Sequence, residues 1–292
     1  MTTKSTTLLI AASLAAFAAC GDDGNSTAVD GPTPVVDAPV TVDAPPAATS
    51  VSLATTGGLG AHLVDKDGKS LYFFANDVPG TNKSEFSGAA WPPFDVQSPT
   101  VGAGLTATDF GRFDRGGGVF QATWKGRPLY YFANDTAATP TAGEGTGGRW
   151  FVARAYNLFF AASGTVTPQG GAAASAPFLT NGAGRSLYIT SQDTRGAGGT
   201  APVSYCSDAG SACVTTWPLW EKPATLTDVV VPSTITAADL TTFTSFGKQQ
   251  FAYKGWPLYF FGADTAPGQV IGATKPTWFA VNPAWNGTIV TQ

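Results

Sequence analysis

The chain has 292 residues, with 16 Lys and Arg against 20 Asp and Glu, a net charge of −4 and only 12% charged residues. No basic run occurs, so neither a nucleic-acid backbone nor an anionic lipid surface finds the clustered Lys and Arg it would need. With 35 Gly, 21 Pro and 12% aromatics, and no long 3.6-residue apolar period beyond the first twenty residues, the folded part reads as all-β.

The chain opens on what reads as an export signal: Lys4, an apolar core over 8–17, and small residues before Cys20. That core is shorter than the roughly 20 residues a spanning helix needs. Phe17-Ala18-Ala19-Cys20 resembles a bacterial lipobox, with Phe where Leu is commonest. Residues 1–19 are therefore expected to be cleaved and Cys20 to be the lipidated first residue, an ordinary secretory peptide with an incidental Cys being the alternative. Gly21, rather than Asp, after that cysteine points to the outer membrane. Residues 20–50 follow as a tether. They lack aromatics and repeat Val-Asp-Ala-Pro at 36–39 and 42–45, a composition that cannot bury enough apolar area to order itself and that favours extended polyproline geometry.

Beyond the tether one phrase recurs four times: LYFFAND at 71–77, LYYFAND at 129–135, LYITSQD at 187–193 and LYFFGAD at 258–264. Each copy puts a Tyr five residues before an Asp, and each is followed by a Trp: Tyr72, Asp77 and Trp91; Tyr130, Asp135 and Trp150; Tyr188, Asp193 and Trp217; Tyr259, Asp264 and Trp278. Self-similarity at a fixed period marks a repeat architecture. The first three Asp are 58 residues apart and the last is 71 further on, the excess lying in a loop that holds Cys206 and Cys213. Those two cysteines form an even pair in an exported chain and are expected to be bonded to each other. A thiolate metal site is the rival, short of ligands because the one His of the chain, His62, is remote.

The units alternate between two types. Units one and three run strand, Gly turn (DKDG at 65–68, NGAG at 181–184), strand, then WPPF at 91–94 or WPLW at 217–220. Units two and four match over ten residues, QATWKGRPLY at 121–130 and QFAYKGWPLY at 250–259, with a Lys-Gly turn and a Pro opening the second strand. The expected fold is thus all-β, four tandem hairpin-based repeats in one compact body, propeller-like or otherwise a barrel or sandwich. The first repeat pair is expected over 51–160 and the second over 177–292, joined by a Gly/Ala-rich segment at 161–176.

The phrases resemble a family of bacterial lipoproteins described as secreted repeats of unknown function, with the motif Tyr-x-(Phe/Trp/Tyr)-x-x-Asp. Three copies fit; the copy from Tyr188 to Asp193 has Thr190 at the aromatic place and is the degenerate one. The family's first-type unit often carries two Cys before Trp-Pro-Pro, a shape that Cys206, Cys213 and Trp217-Pro218 follow, with Leu219 for the second Pro. The resemblance spans roughly residues 57–285. It implies export and a repeat fold and brings no known activity.

The four Tyr–Asp pairs are the candidate chemistry. Along a strand, residues five apart face opposite sides, so Tyr and Asp of one copy are not expected to share a pocket unless the strand has ended. The structural reading places Tyr inward and Asp in the turn, accepting backbone N–H bonds; the functional rival is a cation or sugar site built from several of the Asp. Asp65-Lys66-Asp67-Gly68 looks like a fragment of a calcium loop but lacks its further oxygen ligands and closing Glu. His62 has no nucleophile motif beside it, and Gly116-Gly117-Gly118 lacks the Lys-Ser/Thr of a phosphate loop. Trp220, Trp256 and Trp285 fall outside the closing Trp series and could form an exposed glycan or partner surface.

The functional expectation is a lipid-anchored envelope protein with a binding or structural role, held to the membrane through its anchor and offering loops to a glycan or protein ligand, more in keeping with a non-enzyme. No nucleic-acid partner, cofactor or metal is expected. The alternatives are an envelope polysaccharide hydrolase using paired Asp or Glu and a membrane-associated redox role.

Overall fold

The computed structural model describes residues 48–166, 174–206 and 210–289. The expected signal segment, Cys20 and nearly all of the tether lie outside them. Among the described residues the structure is built from short strands, with one five-residue helix, α1 (Ala212–Thr216), and a few single 3₁₀ turns. The all-β expectation holds; no sheet among these residues closes into a barrel, and each contains two or three strands.

In the first half, β1 (Val51–Thr55) pairs antiparallel with β2 (Ala61–Asp65), and β3 (Tyr72–Phe74) pairs with β7 (Trp150–Val152) across a large sequence gap. Between them β4 (Phe110–Asp114), β5 (Phe120–Trp124) and β6 (Arg127–Pro128) form a meander. The second half repeats the plan. Strand β10 (Tyr188–Thr190) pairs with β14 (Trp278–Ala280), and β11 (Leu240–Ser245), β12 (Lys248–Tyr253) and β13 (Trp256–Pro257) form the meander. The segment read from sequence as a Gly/Ala-rich join supplies paired arms, within β8 (Leu158–Val166) and β9 (Ala174–Asn181).

Local chemistry sets these hairpins. Lys125-Gly126 and Lys254-Gly255 both take positive φ at two successive residues, 50° and 78° in one and 49° and 82° in the other. That is the left-handed pair whose twist matches flanking antiparallel strands. In the first-type units a side chain closes the turn: Asp65 Oδ1 accepts the N–H groups of Asp67 and Lys69, each at 2.9 Å, and Asn181 Oδ1 accepts that of Arg185 at 2.9 Å.

Each unit is centred on a closed ring of three backbone hydrogen bonds. In unit one Leu63 N–H donates to Ala153, Ala153 N–H to Leu71, and Leu71 N–H to Leu63, at 2.9, 2.7 and 2.9 Å. Phe94, Leu129 and Ala122 close the second ring, Leu179, Val281 and Leu187 the third, and Trp220, Leu258 and Phe251 the fourth. All twelve residues are buried, so their N–H and C=O groups need protein partners, and the ring supplies them where short strands cannot make long ladders. The first ring draws Ala153 from beyond the second motif, and the third draws Val281 from beyond the fourth. A first-type unit is therefore complete only after the chain has passed through the unit that follows it.

The core has three parts: a small aromatic cluster inside each half, around Trp91 and Trp150 or around Trp217 and Trp278, and a larger one shared by both halves that includes Leu63, Phe159, Leu187 and Phe251. Two glycines seat the small clusters. A Cβ on Gly143 would stand 2.6 Å from Trp91 Cη2 and 3.0 Å from the Tyr72 ring, and one on Gly272 would stand 2.7 Å from Tyr188 Cζ. Gly143→Ala and Gly272→Ala should each destabilise the fold by about 1–3 kcal/mol through overpacking against rigid rings. A urea melt of each variant measures this; an unchanged midpoint would mean that the rings are not packed as described.

Candidate functional site

The four motifs meet in two crossed pairs. Tyr72 and Tyr130 exchange backbone hydrogen bonds, N–H to C=O in both directions at 2.9 and 3.1 Å, and Tyr188 and Tyr259 do the same at 2.9 and 3.0 Å. This reciprocity gives each half a local two-fold relation between its units. The hydroxyls then cross over. Tyr72 Oη donates to Asp135 Oδ2 at 2.7 Å and Tyr130 Oη to Asp77 Oδ2 at 2.7 Å. In the other half Tyr188 Oη donates to Asp264 Oδ2 at 2.5 Å and Tyr259 Oη to Asp193 Oδ1 at 2.7 Å.

The strand ends make this crossing geometric. Each Asp sits in a turn whose N–H returns to the carbonyl three residues earlier: Asp77 to Phe74, Asp135 to Phe132, Asp193 to Thr190 and Asp264 to Phe261, at 3.0 to 3.3 Å. The bond uses only backbone, so Thr190 serves as well as an aromatic. A second carboxylate oxygen contact fixes the following loop: Asp77 Oδ1 accepts Glu85 N–H at 2.7 Å, Asp193 Oδ1 accepts Tyr205 N–H at 2.8 Å, and Asp264 Oδ1 accepts Ile271 N–H at 2.9 Å. The tyrosines of the second-type units also reach a serine. Ser84 Oγ lies 2.5 Å from Tyr130 Oη, and Ser204 stands close enough to Tyr259 to favour its ionised form.

Every motif Tyr stands edge-on to the Trp of its own unit, at centroid separations of 5.2 Å (Tyr72–Trp91), 5.0 Å (Tyr130–Trp150), 5.5 Å (Tyr188–Trp217) and 5.1 Å (Tyr259–Trp278). The two Trp of each half stack flat, 3.8 Å apart for Trp91 and Trp150 and 3.6 Å for Trp217 and Trp278. In the first half Phe132 and Phe74 extend the stack to four rings. In the second half Phe261 caps one side and Thr190, facing Trp278 across β10 and β14, leaves the other side without a ring. The degenerate third motif has thus lost one layer of the stack and kept its brace.

Burial raises the acids. The Asp77 carboxyl is pushed up to about 6 and that of Asp193 to about 7, desolvation outweighing the N–H and O–H donors that favour the anion. Asp135 and Asp264 move the same way. Desolvation first, and then the adjacent carboxylate, hold all four motif tyrosines above the ordinary phenol range. Each of the four carboxylates is held by a different tyrosine. Among the described residues no three His, Cys, Asp or Glu gather closely enough to hold a metal ion.

His62 is fully buried between Gly60 O at 3.2 Å and Ser70 Oγ at 3.1 Å, and burial lowers its pKa. Asp65 closes its turn and accepts Tyr131 Oη at 2.8 Å, which uses up the calcium-like fragment in local contacts. Cys206 and Cys213 are disulfide-bonded, which removes the thiolate metal site as a rival. The expectation of an exposed Trp surface is corrected. Trp220 and Trp285 are buried and Trp256 is half-buried: the C-terminal segment meets the last two, Trp256 Nε1 donating to Gly287 O at 2.9 Å and Trp285 Nε1 to Thr288 O at 2.6 Å, while Trp220 packs on Phe251 and Phe260.

Sequence reasoning did not foresee a cleft of about 390 Å³ where the two halves meet. Phe73, Arg127, Arg154 and Tyr156 line it from the first half, and Asn181, Trp220 and Phe251 from the second. A backbone seam runs beside it: Asn157 N–H donates to Val230 O, Val230 N–H to Asn157 Oδ1, and Gly182 N–H to Asn157 O, at 2.8 to 2.9 Å. Its walls include residues of the recurring phrases, such as Phe73, Arg127, Trp220 and Phe251, but they come from different units and from segments between them, so no single phrase marks the place.

The family model for secreted repeats of unknown function matches three segments, residues 54–95, 111–154 and 241–282. The chain thus carries three copies of that family's repeat. The three matches are units one, two and four, and the unmatched unit is the third, whose brace is nonetheless formed. No curated protein and no solved structure matches the chain. Among the described residues no helix is long and apolar enough to cross a membrane.

The brace generates two expectations. Tyr130→Phe should cost about 1–3 kcal/mol by leaving buried Asp77 short of a donor. A double-mutant cycle with Asp77→Asn should show coupling of at least about 0.5 kcal/mol, which additive losses in denaturant melts would contradict. The pH dependence has a definite sign. Above the unfolded carboxyl range the native Asp77 and Asp193 hold protons that the unfolded chain has released, so these groups make stability fall as pH rises through 6 to 7. His62, with its lowered pKa, works the other way just below 6.5. The melting temperature of wild type relative to that of Asp77→Asn/Asp193→Asn should therefore fall between pH 5 and pH 8, because only the wild type loses the protonated acids; parallel curves would show that the two acids do not titrate in this window.

Proposed function

We propose that this protein is a lipid-anchored component of the bacterial cell envelope whose paired repeats form a rigid binding module, taking its ligand in the cleft between the two halves. The observation that carries the binding role is the contrast between motif and cleft. The repeated tyrosines and acids are consumed in pairing units, whereas the cleft is a concave opening of ligand size with aromatic walls and a few polar groups, the usual form of a small-molecule site. The family's description as secreted supports an exported location. The Cys20 box and the Pro-rich tether support an anchor that holds the folded body away from a membrane.

Glycoside cleavage by paired carboxylates requires two acids facing one gap. The cleft lining includes one carboxylate, Glu221, and Lys248 Nζ already holds it at 2.6 Å. The binding reading is therefore the better supported of the two.

The full chain, purified in detergent and screened against small molecules by amide and indole NMR, should show binders that perturb Trp220, Asn181 and Gly182 together. Binders that shift only outer loops would overturn the cleft assignment. Turnover of a glycan, ester or peptide panel, lost in Glu221→Gln, would replace binding with hydrolysis. Separately, Cys20→Ser should move the exported protein from the membrane to the soluble fraction; unchanged membrane association would refute the lipid anchor.

A further inference from the structure

Resting on the cleft as the binding site, we infer that its ligand is a small carboxylate with an apolar or ring-shaped body, held through its anionic end by Arg127 and by Arg154 beside it. The observations start with charge. Lys125, Arg127 and Arg154 line the cleft against the single acid Glu221. Lys125 is committed to Asp109 at 2.8 Å and Glu221 to Lys248 at 2.6 Å, which leaves two guanidinium groups without an ion-pair partner among the described residues.

Arg127 is the unusual one. The residue is 4% exposed, yet its only hydrogen bonds among the described residues reach carbonyl oxygens at long range, Asp77 O at 3.3 Å and Gly182 O at 3.5 Å. A guanidinium carries five donors, and a buried cation left so thinly satisfied is expensive to keep. Desolvation lowers its pKa to about 10, which still leaves it charged at neutral pH. Its Cζ lies 4.4 Å from the centre of the Phe159 ring, so the guanidinium packs on an aromatic while donors remain available to an incoming anion. Arg154 repeats the pattern more weakly, with a buried Nε that has no partner among the described residues.

The repeat itself shows that the fold does not require this cation. Within the matched KGRPLY and KGWPLY segments, Trp256 occupies the place of Arg127. There the demand is met by a neutral ring, its N–H on Gly287 O and its face toward Trp285 at 6.2 Å. One half fills the position with an internal cap, and the other fills it with an unpaired charge opening on a cleft. A carboxylate, like a phosphate, offers paired oxygens that suit the guanidinium fork, and its single charge is the cheaper of the two to bring into a largely apolar cleft. The remaining walls, Phe73, Tyr156, Trp220, Leu226 and Phe251, are apolar or aromatic and suit a flat or hydrocarbon body.

The test compares phenylacetate with its neutral twin phenylacetamide, and with acetate, by NMR titration of the full chain in detergent, following Trp220 and Gly182. Phenylacetate should bind at least tenfold tighter than either of the other two. Arg127→Met keeps the stem on Phe159 and removes the charge; it should erase the preference for acid over amide, and Arg127→Lys should restore part of it. Equal binding of acid and amide in the cleft would overturn the carboxylate assignment while leaving the cleft as a binding site. Acetate binding as tightly as phenylacetate would overturn the apolar body. Absence of any shift with 10 mM phenylacetate, in a protein whose cleft responds to other small molecules, would overturn the ligand class outright. The wild-type comparison of acid with amide stands even if Arg127→Met fails to fold.

Discussion

The crossed hydrogen bond from a buried tyrosine of one unit to the motif aspartate of its partner unit is the constraint on which the rest of this structure hangs. Each carboxylate is taken out of water at a cost large enough to push its pKa upward, and the phenol is the donor that makes that burial tolerable. Because the donor belongs to the neighbouring unit, neither acid gains its full set of donors until two units have met. The interaction is therefore a pairing device as much as a stabilising one. It acts twice in each half, in opposite senses, so it fixes register as well as proximity.

The other features follow the same two-unit logic. The backbone rings of units one and three are closed by Ala153 and Val281, residues the chain reaches only after the next motif. The flat Trp pair at the centre of each half takes one ring from each unit. A single unit would have an incomplete ring, half a stack and an unsatisfied buried acid. Four copies of the phrase thus make two folding modules, which share the larger hydrophobic cluster along their common seam. Third-unit divergence is intelligible on these terms. Thr190 removes one stacking layer worth of order 1 kcal/mol, whereas loss of Tyr188 or Asp193 would strand a buried polar partner.

Much of this was legible in the sequence, and the illegible part has a physical reason. The all-β class, the Lys-Gly and Asp/Asn turns and the disulfide between Cys206 and Cys213 follow from short-range chemistry, and short-range chemistry is what a linear pattern records. The alternation of side chains along a strand also showed that Tyr72 and Asp77 would not share a pocket. Carried one step further, it held the clue to the crossing: a buried phenol and a buried acid that cannot meet within one copy must each find a partner in another. The burial of Trp220 and Trp285 could not be read, since it depends on packing against Phe251 and Phe260 for the one and on where the C-terminal segment lies for the other. The cleft was invisible because its walls come from segments far apart in the chain, Phe73 and Arg127 of one half against Trp220 and Phe251 of the other, brought together only in the folded body.

What distinguishes the two halves is therefore more informative about function than what they share. The shared positions carry the same contacts in both halves and are explained by pairing: Tyr, Asp and Trp, the ring residues, and the glutamines Gln121 and Gln250, whose amides donate to Leu129 O and Leu258 O. A repeat scaffold holds such positions alike because the same physics acts at each. Where matched positions differ in chemical kind, scaffold physics does not explain the difference. Arg127 opposite Trp256 is such a case, a cation and a capped indole in one backbone context. That buried cation, held by two distant carbonyls and the field of Asp77 where its counterpart is a capped indole, is the chemical difference between the halves on which the proposed binding site at their seam rests.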